Sequence, residues 1–230
     1  MKAKQIVSYA VLICWGIGVA AVCARVQAQG MSPVIQEFNK KARGAVQVTN
    51  IGDTPKTVSC RAQGFDPDEH GTLKFHPIDA ALHVRIDSGR EVVGPKSSRQ
   101  VSFDATPAAP PAWFAVTCRF MPVEHGAGLT LAMEITSIVI VNGGHLDPRD
   151  VAVSAKRVGD KVEVEVKNNG SGLARVSSGE VHGHGKQADL GTFILFPHQR
   201  RIVESDWKET TMPETVRIQI GKKRLEAKVD

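Results

Sequence analysis

Residues 44–65 read GAVQVTNIGDTPKTVSCRAQGF, a strand-like run, a turn and a second strand-like run. In the first run Val46 and Val48 alternate with polar residues, which is typical of a half-buried β-strand. The turn, NIGDTP (50–55), concentrates the residues that favour chain reversal. The second run, KTVSCRAQGF (56–65), is rich in strand-forming residues. This stretch therefore predicts two strands joined by a short turn.

The same pattern extends along the chain in both directions. Short segments rich in Val, Ile, Thr and Phe are separated by Gly, Pro, Asn and Asp, and no amphipathic helix stands out. Strands at eight- to twelve-residue spacing over about 100 residues indicate one β-sandwich in each half of the chain. The sequence predicts an all-β protein with two tandem immunoglobulin-like β-sandwich domains, residues 29–143 and 151–230, joined by a linker at 144–150.

The first 28 residues have the composition of a secretory signal peptide. Lys2 and Lys4 precede an uncharged apolar run from Ile6 to Ala24, and a V-x-A pattern ends at Ala28. We predict export, with cleavage after Ala28. The apolar run is also just long enough to span a bilayer, so an uncleaved membrane anchor is an alternative. Lipid modification of Cys23 is a further one.

Removing the signal peptide makes the chain less basic. Lys2, Lys4 and Arg25 leave with it, so the 29 basic residues fall to 26 against 24 acidic ones, a net charge of about +2. No basic tract with interleaved aromatic residues remains. Nucleic acid is therefore not a predicted partner.

Two cysteines, Cys60 and Cys118, lie outside the signal segment. In an oxidising compartment such a pair usually forms a disulfide, which would stabilise the fold by roughly 4 kcal/mol on a chain-entropy estimate. A metal or redox pair is not indicated, because neither a C-x-x-C spacing nor a neighbouring His is present. Two free buried thiols are the remaining alternative.

The longest strand pattern is LTLAMEITSIVIV, residues 129–141. Its first half alternates apolar residues with polar or small ones, at Leu129, Leu131, Met133 and Ile135. The alternation then slips, and apolar residues become adjacent from Ile138 to Val141. At the edge of a sheet, so long an apolar strand is an aggregation hazard unless something covers it. The alternatives are a partner-binding edge strand and a strand buried in its own domain.

Several stretches, taken in order, resemble the periplasmic pilus-assembly chaperones of chaperone–usher systems. The first is the V-x-V-T-N-x-G-D-x-P pattern of residues 46–55. VVGPKSSRQVSF (92–103) follows with Pro95, and WFAVTCRFMP (113–122) keeps Arg119 and Pro122. The second half matches through KVEVEVKNNGSG (161–172) and LGTFILFPHQRRIVESDW (190–207). In that family a long alternating strand stands where residues 129–141 stand here.

The resemblance implies a binding mechanism in the periplasm. Pilus subunits resemble sandwiches that lack their last strand, and the chaperone lends its long strand to the open groove. Backbone hydrogen bonds then give affinity, and alternate side chains give specificity. By this resemblance the subunit-binding residues are Leu129, Leu131, Met133, Ile135, Ile138 and Ile140. The implied partners are a pilus or fimbrial subunit and an outer-membrane usher, and self-association through the strand edge is a further possibility. No cofactor is implied.

The sequence departs from the family at one point. The family holds the subunit's terminal carboxylate with two basic residues, and the matching positions here are Val34 and either Thr136 or Ser137. A carboxylate in a partly dry cleft needs positive charge or several donors. The candidate replacements are Arg43, Arg119 and Arg149, each of which is otherwise an ordinary surface arginine. The missing cations favour a rival interpretation, an exported structural or adhesive immunoglobulin-like protein without chaperone activity.

No pattern for catalysis or metal binding is present in the sequence. A Gly-x-Ser-x-Gly elbow is absent, and the acidic residues fall mostly on alternate strand positions, as on a solvated sheet face. His182 and His184 are two residues apart, but a metal site usually needs three or four ligands, and the flanking glycines indicate a turn. We predict that the chain is not an enzyme and has neither catalytic nor metal-binding residues.

Overall fold

The computed structural model describes residues 29–87, 89–123 and 131–230. The first half contains ten strands: β1 (Gln29–Ser32), β2 (Ile35–Phe38), β3 (Ala42–Asn50), β4 (Lys56–Pro67), β5 (Leu73–His76), β6 (Leu82–Ile86), β7 (Glu91–Val93), β8 (Ser97–Pro107), β9 (Ala112–Pro122) and β10 (Met133–Val141). A short 3-10 turn, Pro148–Asp150, follows them. It is the one helical element among the described residues.

The second half contains eight strands: β11 (Val151–Val158), β12 (Lys161–Asn168), β13 (Ala174–Gly183), β14 (Lys186–Asp189), β15 (Phe193–Leu195), β16 (Arg200–Asp206), β17 (Thr215–Ile220) and β18 (Lys223–Lys228). The all-β fold class predicted from the sequence is confirmed. In the part of the chain that the structure describes, no helix has the length and hydropathy to cross a membrane. The signal-peptide prediction lies outside the described residues.

Two sheets face each other in the first sandwich. One has the strand order β1-β3-β8-β6, and the other has β2-β10-β9-β4-β5, with β7 also paired to β4. Inward side chains of both sheets form the core because alternate residues of a strand point to the same face. Val46 and Val101 from the first sheet meet Val58, Phe114 and others from the second.

The chain changes sheets near its start. β1 runs antiparallel to β3 in one sheet, whereas β2 runs parallel to β10 in the other, and the cis Ser32–Pro33 bond lies between them. β2 is only four residues long and pairs with Ile138–Val141. This short parallel strand determines how much of β10 is covered along its outer edge.

The second sandwich is built in the same way from sheets β11-β12-β16 and β14-β13-β17-β18, with β15 paired to β13. Along β12, Val162, Val164 and Val166 point into the core. Glu163 and Glu165 point outward and pair with lysines and Arg200 of the same surface. The acidic face that the sequence predicts to be solvated therefore carries a network of surface ion pairs.

A third apolar cluster joins the two sandwiches. This interdomain cluster contains Phe65, Ala115 and Ile140 of the first sandwich and Phe196 of the second, bordered by Ile35, Leu73, Trp113, Ile138, Leu173 and Ile194. The ring centroid of Phe196 lies 5.4 Å from that of Phe65 and 5.3 Å from that of Trp113. The outer face of the sheet that contains β10 is thus partly covered by the second sandwich.

The turn between β4 and β5, residues 68–72, makes a second link between the sandwiches. The backbone N–H of Ile202 donates to the carbonyl of Glu69 at 2.6 Å, and the Gln199 amide donates to the carbonyl of Asp68 at 3.2 Å. An ion pair between Arg200 and Glu69 adds to these bonds. The β4–β5 turn therefore docks on β16, the edge strand of its sheet.

Candidate binding strand and its surroundings

The C-terminal half of β10 is covered on both faces. Val139 and Val141 point into the core of the first sandwich, and Ile140 is buried in the interdomain cluster with Ile138 beside it. The slip in the sequence alternation is therefore not a change of register, because odd and even positions both meet apolar neighbours. Ile140 is therefore buried and Ile138 is half-buried against the interdomain cluster, and the role of these two residues in subunit binding stays a prediction.

The N-terminal half of the strand is different. Leu131 is 74% exposed and Met133 is 41% exposed, although both are large apolar side chains. Ile135 packs at the margin of the core, and Leu129 lies outside the described residues. β10 itself begins at Met133, so its described part is shorter than the predicted strand 129–141. The structure thus leaves Leu131 and Met133 available to a partner.

One edge of this exposed half has no neighbouring strand among the described residues. The N–H of Ile138 donates to the carbonyl of Val34 at 2.8 Å, and the pairing with β2 continues from there toward Val141. Backbone groups of alternate residues point to the same edge of a strand. Glu134 and Thr136 therefore direct their N–H and C=O groups to the edge that β2 does not reach. The opposite edge is paired with β9 along its whole length.

A ring of polar side chains lies on the outer face of this sheet. The two terminal nitrogens of Arg61 donate to the two carboxylate oxygens of Glu134 at 3.3 and 3.2 Å, and Nε donates to Gln63 Oε1 at 3.0 Å. Gln63 Nε2 donates to the Thr117 hydroxyl at 3.2 Å, and that hydroxyl lies 3.0 Å from the hydroxyl of Thr136. The ring thus begins and ends on β10.

The three arginines proposed as carboxylate anchors lie in different places. Arg43 is exposed on the sheet that lacks β10, where it pairs with Asp104. Arg149 lies in the 3-10 turn, and its Nε donates to Asp147 at 2.8 Å. Hydrogen bonds from Arg149 lower the pKa of Asp147 to about 2, and the Asp147 carboxylate raises the pKa of Arg149. Neither arginine is free to bind a carboxylate beside β10.

Arg119 is the one candidate next to the strand. It is exposed on β9, directly opposite Glu134 of β10 and Ser59 of β4. No hydrogen bond or ion pair joins its guanidinium to the described residues. Sequence reasoning missed Arg61, which lies on the same face. The sequence indicates the place of Arg61 only indirectly. If Cys60 pairs with Cys118, Arg61 lies opposite Thr117 on the neighbouring strand.

The two positions at which the family resemblance expects cations are neighbours in the structure. The Ser137 hydroxyl donates to the carbonyl of Pro33 at 2.7 Å, and the Val34 carbonyl accepts from Ile138. Val34 is 63% exposed, so this surface next to β10 is apolar where the resemblance implies positive charge. The two positions are therefore adjacent, and neither carries a charged side chain.

Cys60 and Cys118 form a disulfide, as predicted, and occupy facing positions on β4 and β9. The histidine prediction has a mixed outcome. His184 lies in the β13–β14 turn, whereas His182 is on β13, half-buried, with Nε2 2.9 Å from a carboxylate oxygen of Glu180. Among the residues that the structure describes, no cluster of three or more His, Cys, Asp or Glu side chains could hold a metal ion.

Comparisons with known proteins identify the architecture. No protein-family model matches the sequence, and a search of curated protein sequences finds no similar one. The crystal structure of the YadV chaperone aligns over 86% of this chain and 98% of its own, with 13% identity and a TM-score of 0.59. The chain has the fold of the pilus chaperones.

Two further structures agree with this assignment. The Escherichia coli chaperone DraB aligns over 90% of this chain and 98% of its own, with 14% identity and a TM-score of 0.55. The structure of Salmonella enterica SafA pilin in complex with the SafB chaperone aligns over 89% and 97%, with 12% identity and a TM-score of 0.57. The chaperone fold inferred from the sequence motifs is confirmed, including both sandwiches.

Proposed function

We propose that this chain is a periplasmic chaperone that caps a fimbrial or pilus subunit through β10 and delivers it to an outer-membrane usher. The observation that carries the proposal is the open edge at Glu134–Thr136, flanked by the exposed side chains of Leu131 and Met133. A subunit strand would pair with the free backbone groups, while the two side chains would enter its groove. Residues 1–28 would serve as the export signal. The proposed activity is binding, without catalysis.

The energetics support capture by a strand rather than by side chains alone. Burying Leu131 and Met133 would contribute about 3–6 kcal/mol before the costs of ordering and association. That is too little for a stable complex, so the backbone hydrogen bonds of strand addition are needed as well. A strand edge left bare beside apolar side chains is normally avoided in soluble proteins. A partner that covers this edge accounts for both features.

Proteins of the same fold provide related support. SafB is a chaperone in complex with a pilin, and CsuC from Acinetobacter baumannii is the chaperone of a chaperone–tip adhesion subunit pre-assembly complex. Subunit capping by this chain follows that precedent and rests on the geometry of its own β10.

For the subunit's carboxylate we propose Arg119 as the anchor. It stands beside the open half of β10 with its guanidinium exposed, and the hydroxyls of Thr117 and Thr136 lie on the same face. Charge-assisted hydrogen bonds from arginine to carboxylate are among the strongest in proteins. Arg43 and Arg149 are not retained for this role, because each is bound to an aspartate elsewhere.

The rival is an exported structural or adhesive protein that has kept the fold without the chaperone activity. The exposed Val34, standing where the family resemblance implies a cation, favours this rival. A pull-down of the tagged mature protein from its own periplasm, read by mass spectrometry, separates the two functions. It is run beside Met133→Asp and a control, Val158→Asp, which places the same charge at an exposed apolar position of the second sandwich.

We expect native protein and Val158→Asp to retain small β-rich subunits and Met133→Asp to lose them while remaining folded by circular dichroism. The reason is that a carboxylate at position 133 would have to be buried without a partner in the subunit groove. An empty native pull-down from cells that export such subunits would overturn the proposal. If Met133→Asp unfolds the protein, its side chain belongs to the core of its own domain.

A further inference from the structure

The exposed half of β10 is held from one side only. Its Glu134 and Thr136 face an edge without a neighbouring strand, and the side chains of Leu131 and Met133 are exposed. A strand paired on one edge, with only Ile135 packed at the margin of the core, is prone to local opening. For strand addition the same segment must stay extended and in register. Something other than core packing therefore has to hold it.

We infer that Arg61 is a positioning residue, which holds β10 extended and ready for its partner by binding Glu134. This inference rests on the proposed function and deepens it. Arg61 lies on β4 and Glu134 on β10, so the side-chain pair crosses the whole width of β9. Because both carboxylate oxygens accept from the same guanidinium, the contact fixes an orientation as well as a distance.

The polar ring described above gives the contact its second support. From Arg61 it passes through Gln63 and Thr117 to Thr136, and it thereby returns to β10 two residues beyond Glu134. Thr117 is 2% exposed, so this part of the ring is shielded from water. The ring therefore binds β10 at Glu134 and Thr136, the two residues whose backbone groups face the open edge. Glu134 and Thr136 are therefore both the residues at the open edge of the strand and the residues that the polar ring binds.

The inference has a kinetic signature. Holding the strand in its binding conformation removes a cost that the partner would otherwise meet on arrival. Once a subunit strand has paired with the edge, the subunit itself keeps β10 extended. Loss of Arg61 should therefore slow association and leave dissociation unchanged. The expected size is about two- to fivefold, the range of exposed ion pairs.

The first test uses the free protein. Amide hydrogen exchange is measured in native protein, Arg61→Met and Glu134→Gln. The informative amides are those of Met133, Ile135 and Ser137, which point toward β9. Lys161→Met is the matched control, because Lys161 and Glu204 form an exposed cross-strand pair on the second sandwich. We expect two- to fivefold faster exchange in the first two variants, no change in the control, and a non-additive effect in the double variant.

The second test uses the subunit recovered in the pull-down, unfolded in urea and diluted into each protein. A two- to fivefold lower association rate with an unchanged dissociation rate supports the positioning role. A raised dissociation rate would mean that Arg61 contacts the subunit directly, and unchanged exchange at all three amides would also overturn the inference. If exchange changes as expected but the native protein captures no subunit, the proposed function fails and the role of Arg61 in holding β10 stands.

Discussion

Asn50 and Asn168 have matching positions in the two sandwiches, and each organises the turn that follows its strand. Asn50 is buried, and its amide donates to the carbonyls of Thr54, Val93 and Gly94 at 2.8–3.1 Å. Its side-chain oxygen accepts from the backbone N–H of Gly52. Asn168 makes the same pattern with Gly172, Leu195, Phe196 and Gly170. One amide thus satisfies several backbone groups that would otherwise be buried unpaired.

We expect Asn50→Ala to lower the free energy of unfolding by about 2–4 kcal/mol, because it leaves buried carbonyls and one N–H without partners. Urea denaturation followed by fluorescence measures this change. Asn39→Ala is the control, since Asn39 is exposed. Equal stability of the two variants would show that water replaces the Asn50 amide without loss.

At this scale the sequence predicts part of the role of Asn50. The pattern NIGDTP identifies a turn residue, because Asn, Gly and Asp favour tight reversals. Two of the carbonyls that Asn50 bonds belong to Val93 and Gly94, more than forty residues away. No local pattern contains that contact, so burial of the side chain could not be predicted.

Among the elements, β10 was the clearest in sequence and the most altered by its surroundings. Alternation predicts a strand here, and the structure has one at Met133–Val141, but the pattern left open whether Leu131 and Met133 would be exposed or buried in their own domain. The burial of Ile138 and Ile140 could not be predicted, because it is the second sandwich that covers their face of the strand. A period-two pattern distinguishes the two faces of a strand, but it does not indicate what covers each of them.

The docking of the β4–β5 turn on the second sandwich involves one glycine with a left-handed backbone conformation. Gly71 has a φ of +82°, and a Cβ there would meet the Arg201 guanidinium. Arg201 lies over the ring of Phe193 and donates to the carbonyl of Ile194 at 3.2 Å. Burial lowers the pKa of this arginine, and Asp68 of the turn opposes that effect. A side chain at position 71 would therefore have to displace the Arg201 guanidinium from beneath the turn.

We expect Gly71→Ala to lower stability by about 2–3 kcal/mol, combining left-handed backbone strain with the clash. Gly159→Ala is the matched control, because Gly159 also has a positive φ but a Cβ there would meet open space. It should lose only about 1 kcal/mol. Thermal unfolding of the two variants side by side separates the clash from the strain. Equal losses would mean that Arg201 simply moves aside.

For the whole molecule, the interdomain cluster determines whether the two sandwiches behave as one unit. Phe196 is almost fully buried and packs edge-on against Phe65, while Trp113 donates its indole N–H to the Phe65 carbonyl at 2.9 Å. Interfaces between domains of one chain are usually small, and relative motion is the default. Here an apolar cluster, the β4–β5 turn and the Arg175–Glu37 ion pair all oppose it.

We expect Phe196→Ala to cost about 3–5 kcal/mol, the usual loss for a buried phenylalanine. Calorimetry should show one unfolding transition for the native protein and two for this variant, as each sandwich unfolds alone. Phe75→Ala is the control, because Phe75 borders Phe65 but is 47% exposed. A single transition with an unchanged midpoint in Phe196→Ala would contradict this role of the cluster.

The sequence also predicts the architecture at this scale, because strand spacing and turn composition are local signals that repeat in both halves. The resemblance to the chaperones added the order of the motifs, and the fold comparisons agree with it. The polar ring could not be predicted, since Arg61 and Glu134 are 73 residues apart and meet only across β9. Contacts of that kind depend on sheet order, which composition does not contain.

The side-chain environments along β10 fix its register against β9. A slip of one residue along β9 would exchange the side chains of the two faces, sending Ile138 and Ile140 into the core and Val139 and Val141 toward the second sandwich. Such a slip would also turn Glu134 and Thr136 from the outer face toward the core, so the strand cannot slide to accommodate a partner. Any adjustment of register between β10 and a partner strand must therefore come from the partner. In the capping reaction that we propose, a subunit whose groove is offset by one residue would meet the Glu134 carboxylate where it needs the Met133 side chain, and it would bind poorly for that reason alone.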